Sequence, residues 1–132
     1  MLALWDRDCG FCAWALAVLL RADRRGLLRT APIQGPMGER YLAHMPSTQR
    51  LASWHLVDER DRVYSGGAAV TEVLRRLPAG RGLAALTSRA PGTTQSAYDW
   101  VARHRSTLSR PIPGAAKARA RERVAARAVI DT

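Results

Sequence analysis

Two cysteines, Cys9 and Cys12, are the only ones in a chain of 132 residues, and they stand three apart near its start. Cysteines that close cannot tie distant segments together. A secreted scaffold held by disulfides is therefore excluded, and packing must hold the fold. The material for packing is present, since 47% of the residues are hydrophobic and a chain of this length buries roughly two thirds of its unfolded surface. One core typically serves about 100 to 200 residues, so a single domain is expected.

Apolar segments bracket the cysteine pair. Leu2–Trp5 is a short apolar run ending at Asp6, Arg7 and Asp8, as a buried strand opening into a loop would read. Residues Phe11 to Leu20 are apolar on every side, which predicts a broadly buried helix. This run is half of what a membrane span needs, and the acidic cluster after Trp5 is unlike a signal peptide. A cytoplasmic chain without a membrane span is expected. In a reducing compartment a close cysteine pair is more often catalytic or metal-binding than a static bridge.

The helix turns polar over Arg21–Arg25, with Gly26 where a left-handed C-cap residue is expected. Leu27–Ala31 can form a second strand, stopped by Pro32 and joined to the first by a parallel crossover. A short helix is expected over Glu39–His44, with a break at Pro46. Ser53–Asp58 and Arg62–Ser65 read as an antiparallel hairpin, and Gly66-Gly67 leads into a helix with Val70, Val73, Leu74 and Leu77 at helical spacing. Residues 78–92 read as loop with at most a short helix over Leu83–Leu86. A last helix over about Thr94–Leu108 puts Ala97, Val101, His104 and Leu108 on one face, which makes His104 a buried histidine. Pro111 and Pro113 close the domain at residues 1–110. The basic Ala- and Arg-rich remainder, residues 111–132, has few large apolar groups (Val124, Val129, Ile130) and reads as a frayed tail. The order of elements is the plan of an α/β, thioredoxin-like fold: a mixed four-stranded sheet flanked by helices.

The formal net charge of +10 invites a nucleic-acid reading, but the charge is spread along the chain. Twenty of the 21 basic residues are Arg, and 23 residues are Ala, which is a bias of the whole composition. Nucleic acid is not the expected partner, and a monomer is expected.

Asp6-Arg7-Asp8-Cys9-Gly10-Phe11-Cys12 is the dense constellation of the chain. Two cysteines three apart at a helix start can close a small-ring, reducible disulfide. The unpaired amides and dipole of the helix N-terminus favour a thiolate at Cys9 by about 0.3 to 2 kcal/mol. Asp8, if about 7 Å away, opposes it by roughly 0.6 to 2.4 kcal/mol. The near cancellation points to a reductase more than an oxidase. Cys12 would be the resolving thiol. Asp6 either accepts the proton of Cys12 during exchange or caps the turn. Haem attachment is excluded by Ala13 after the second cysteine. Zinc would have to recruit two of His44, His55 and His104, which lack ligand-like spacing. No cofactor is expected. Trp54 and Trp100 read as packing residues, with Trp54 able to line the redox face; Tyr98, Arg103 and Arg105 read as covering the sheet.

Asp6-x-x-Cys9-x-x-Cys12 after a short apolar strand resembles the DCC family of thiol-disulfide oxidoreductases, named for its Asp, Cys, Cys signature. The resemblance continues in Arg24-Arg25-Gly26, in Ala31-Pro32-Ile33-Gln34, in Asp58–Ala69 with its Tyr64-Ser65-Gly66-Gly67 turn, and in Tyr98-Asp99-Trp100-Val101-Ala102-Arg103-His104-Arg105. It covers about residues 2–110 and implies a thioredoxin-like fold, a dithiol site at Cys9 and Cys12, and Asp6 as the motif aspartate. Gly10 stands where members often carry Pro, and Ser53 or Trp54 stands where thioredoxins carry a cis-proline. The expected activity is exchange of the Cys9-Cys12 pair with protein or small-molecule disulfides, fed by a thiol or other electron donor. The alternative is a thioredoxin-like binding module for an acidic partner, with sensory or structural cysteines.

Overall fold

The computed structural model describes residues 1–78 and 80–129. Four strands form one sheet in the order β2-β1-β3-β4: β1 Leu2–Trp5, β2 Arg29–Pro32, β3 His55–Val57 and β4 Val63–Ser65. β1 runs parallel to β2 (Leu4 opposite Ala31) and antiparallel to β3 (Leu4 opposite His55); β3 and β4 close the expected hairpin. As the central apolar strand, β1 is covered on both faces. Ala3 and Trp5 point into one cluster with Leu16, Leu20, Leu56 and Val73, while Leu4 joins Ala31, Ile33, Leu42 and Val57 on the other side. Pro32 is accommodated as the last residue of β2 because β2 is an edge strand. This is a thioredoxin-like α/β fold.

α1 (Gly10–Ala22) fills the first face with Ala13, Leu16, Ala17 and Leu20. It ends at Asp23, before the predicted glycine cap; Gly26 takes φ 66° in the loop that follows. The buried Asp23 carboxylate accepts from the amides of Leu27 and Leu28, closing that loop and aiming β2. α2 (Pro36–Leu42) and α3 (Ser47–Ala52) cover the second face, with Pro46 as the N-cap of α3 where only a break was expected. α4 (Gly66–Arg76) carries the predicted apolar stripe and the Glu72–Arg76 pair.

Expectations for three further segments are corrected. The predicted loop at 78–92 is largely helical: α5 spans Arg81–Arg89 and α6 begins at Pro91. Glycines and prolines mark the ends of these helices. Gly80 lets the chain turn close against the Leu74 carbonyl, where a Cβ would collide, and Ala84 buries against α4. The single helix expected over Thr94–Leu108 is split at His104 into α6 (Pro91–Arg103) and α7 (Arg105–Ser109). His104 is exposed, not buried; its ring stacks on Trp100 at 4.4 Å and its Nδ1 meets the Trp100 carbonyl. Trp100 is itself 51% exposed and is not a core residue.

The third correction concerns the segment expected to fray. Gly114–Ala126 forms α8, docked along α1 with Ala120 and Val124 buried in the main core. The small side chains Ala17 of α1 and Ala120 of α8 are both buried in this core. The end of α8 is sewn to β2, where Thr30 Oγ1 donates to the Val124 carbonyl at 2.8 Å and the Thr30 amide to Arg127 at 2.9 Å. Arg127 also pairs with Asp23 at 3.1 Å. Ile130 lies outside the described residues.

Candidate redox site

Cys9 is the N-cap of α1, held in extended conformation by a turn in which its amide donates to the Asp6 carbonyl. Its sulfur takes the place usually filled by a serine or aspartate oxygen, accepting from the Cys12 amide at 3.2 Å. Cys9 and Cys12 form a disulfide with 5.2 Å between their Cα atoms. The first turn of the helix contains no acidic residue. An amide that donates to sulfur favours the anion over the thiol, and the helix terminus adds to the effect.

Asp6 is half-buried at the exit of β1. Its Oδ1 accepts from the Asp8 amide at 3.0 Å and from Gln34 Nε2 at 2.7 Å, leaving Oδ2 without a hydrogen-bond partner among the described residues. Gln34 also accepts from the Arg7 amide at 3.3 Å, so it clamps the loop from beyond β2. Sequence reasoning assigned Gln34 no role. Its pairing with Asp6 depends on the parallel register that puts the ends of β1 and β2 side by side.

An open apolar groove of about 320 Å³ starts at Cys12. Phe11, Trp14 and Leu19 of α1, Trp54 ahead of β3, Val70 of α4 and Val101 of α6 form its walls, with Asp6, Tyr98 and Arg105 as polar groups on its border. Phe11 and Trp14 lie 6.0 Å apart at centroid distance. Ser53 and Trp54 line the same groove as Cys12, in keeping with the expectation that Trp54 can line the redox face. Tyr98 does more than cover the sheet: its hydroxyl accepts from the Trp54 amide at 2.9 Å, and burial pushes its phenol above the ordinary range. Arg105 donates to the Leu51 carbonyl at 3.3 Å.

The histidines are not gathered into a ligand set. His55 is buried, with Nδ1 on Ser65 Oγ at 2.7 Å and Nε2 on the Arg50 carbonyl at 2.9 Å. Because a carbonyl can only accept, Nε2 carries the proton and Ser65 donates to Nδ1. Among the described residues no cluster of His, Cys, Asp and Glu could hold a metal ion. No helix among them is long and apolar enough to cross a membrane.

A thioredoxin-like sheet with a Cys-x-x-Cys disulfide at the head of its first helix defines a class of dithiol-disulfide proteins. Residues 3–111 match the family model described as DCC1-like thiol-disulfide oxidoreductase, and the chain belongs to that family. No curated protein and no solved structure matches the chain.

Proposed function

We propose that the chain is a thiol-disulfide oxidoreductase in which Cys9 is the nucleophile and Cys12 the resolving thiol. The observation that carries this reading is the Cys12 amide donating to Cys9 Sγ at the head of α1. In the reduced protein the Cys9 thiolate attacks a substrate disulfide, forming a mixed disulfide and expelling one substrate thiolate. Cys12 then gives up its proton, its sulfur attacks Cys9 Sγ, and the second substrate thiolate leaves. Two electrons pass to the substrate, two protons go to its thiols, and the Cys9-Cys12 disulfide forms. A dithiol donor reverses the sequence to regenerate the protein.

Asp6 is the proposed acceptor of the Cys12 proton. It borders the same groove as Cys12 and keeps one carboxylate oxygen outside the loop's hydrogen bonds. The apolar groove supports substrates that present apolar side chains next to their disulfide. Titration against glutathione buffers, read by thiol alkylation and mass, tests the reading. A reversible two-electron couple between about −280 and −180 mV is expected. Thiols that resist oxidation throughout that window would overturn it.

A further inference from the structure

The chain's one lysine lies against the cysteine turn. A Cβ at Gly10 would stand 3.1 Å from Lys117 Cδ and 3.6 Å from its Cε, so the missing side chain between the cysteines gives the lysine stem its seat. The ammonium, one bond of about 1.5 Å further on, is held within about 5 Å of the same point. Lys117 belongs to α8, outside the residues 3–111 that match the family. That helix is firmly anchored: Ala120 and Val124 are in the core, Arg127 pairs with Asp23, and Arg121 Nη1 donates to the Arg7 carbonyl in the loop before Cys9. Lys117 has no salt-bridge partner among the described residues.

We infer that Lys117 is an electrostatic positioning residue of the cysteine pair, stabilising the negative charge that forms on Cys9 when the disulfide opens. The inference rests on the redox reading above. The charges around Cys9 come from several elements. Asp6, Arg7 and Asp8 stand on its own loop, α8 supplies Lys117 and Arg121, and Arg105 of α7 borders the groove. Asp8 opposes an anion at Cys9, and Lys117 offsets it. Arg121 is committed to a backbone carbonyl, whereas the lysine is a point charge on a flexible stem packed along the turn.

The test follows Cys9 alkylation by iodoacetamide as a function of pH in reduced full-length C12S protein. Lys117→Gln is compared with Arg119→Gln, which removes the same charge from the same helix, and with Lys117→Arg. With Lys117→Gln the profile should move to higher pH, and alkylation at pH 7 should slow about two- to fivefold. The difference should shrink as salt rises. Arg119→Gln should match the parent protein, and Lys117→Arg should recover most of the rate. Should Lys117→Gln be less well folded by circular dichroism, Lys117→Met keeps the stem and carries the same comparison. A Lys117→Gln profile that overlays Arg119→Gln, or a Lys117→Arg profile as impaired as Lys117→Gln, would overturn the inference. Failure of the redox reading registers separately, as the absence of a reversible couple in the glutathione titration, because alkylation requires no substrate.

Discussion

The hydroxyl of Tyr98 in α6 accepts a hydrogen bond from the backbone amide of Trp54 at 2.9 Å, tying a helix on the outside of the fold to the strand entry that borders the disulfide groove. Trp54 precedes β3 and has no sheet partner for that amide. The phenol therefore satisfies a donor that would otherwise be stranded in a partly apolar setting. Replacing Tyr98 by Phe should cost about 1 to 2 kcal/mol in denaturant unfolding. It should also raise KM for a disulfide substrate more than it lowers kcat, since Trp54 loses its anchor while Cys9 and Cys12 are untouched. Equal loss in both parameters would mean that Tyr98 acts on the chemistry instead.

Cys9→Ser should abolish disulfide reduction while leaving the circular dichroism spectrum unchanged, because a serine oxygen can still cap α1. Cys12→Ser should instead accumulate a mixed disulfide at Cys9, seen as a mass gain of one substrate thiol. If Cys9→Ser traps the adduct and Cys12→Ser does not, the two roles are reversed.

Asp6→Asn preserves an oxygen for the Asp8 amide and the Gln34 side chain, so the loop should stay in place. With both cysteines present, resolution of the Cys9 mixed disulfide by Cys12 should slow by about tenfold or more near pH 7, as expected when a proton acceptor is removed. Unchanged resolution with an intact fold would leave Asp6 with only its role in the turn.

Stability should fall with acid in two stages. Burial holds the His55 imidazole below its ordinary 6.5, opposed by the Arg50 carbonyl and aided by His44. Neutral His55 therefore contributes fully above about pH 6.5, and that contribution is lost as the pH falls toward the lower native value. His55→Gln should flatten this first stage. Asp58 follows: burial acts to raise its pKa, but the amides of Arg62 and Arg60 and the Arg62 guanidinium outweigh it and bring it down to about 2. Its contribution is present above the ordinary value of 3.8 and disappears as the pH approaches 2. Urea midpoints between pH 2 and 8 would check both; a flat midpoint from pH 7 to 5 would contradict the role of His55.

Arg127→Ala should destabilise the protein by roughly 2 kcal/mol or more, because Asp23 is left buried without its cation, with only the amides of Leu27 and Leu28 to support it. Asp23→Asn combined with Arg127→Ala should recover part of the loss. A single-variant cost below about 0.5 kcal/mol would show that the Asp23–Arg127 pair does not hold α8 in place.

Much of the fold was legible because its signals are local. The Leu2–Trp5 run, the acidic break, the cysteine turn and the apolar Phe11–Leu20 stretch specify strand, loop and helix within 26 residues, and the hairpin around Asp58–Arg62 marks itself by its polar turn. The Asp-Cys-Cys spacing singled out the cysteine pair that closes as a disulfide at the head of α1. Helical period alone, however, put His104 on a covered face. A periodic face is buried only if another element lies over it, and α6 leaves that side to solvent while His55 is enclosed by the sheet and the end of α3.

By itself, the sequence determined the central strand, the redox helix, the cysteine turn and the family, since each depends on neighbours along the chain. Tertiary structure decided what the last helix does. Its Ala- and Arg-rich residues carry too little apolar area to announce a packed element. The small side chains of α1, the buried carboxylate of Asp23 and the open edge of β2 supply the surface on which α8 docks. Only that docking brings Lys117, over a hundred residues along the chain, onto the turn between Cys9 and Cys12.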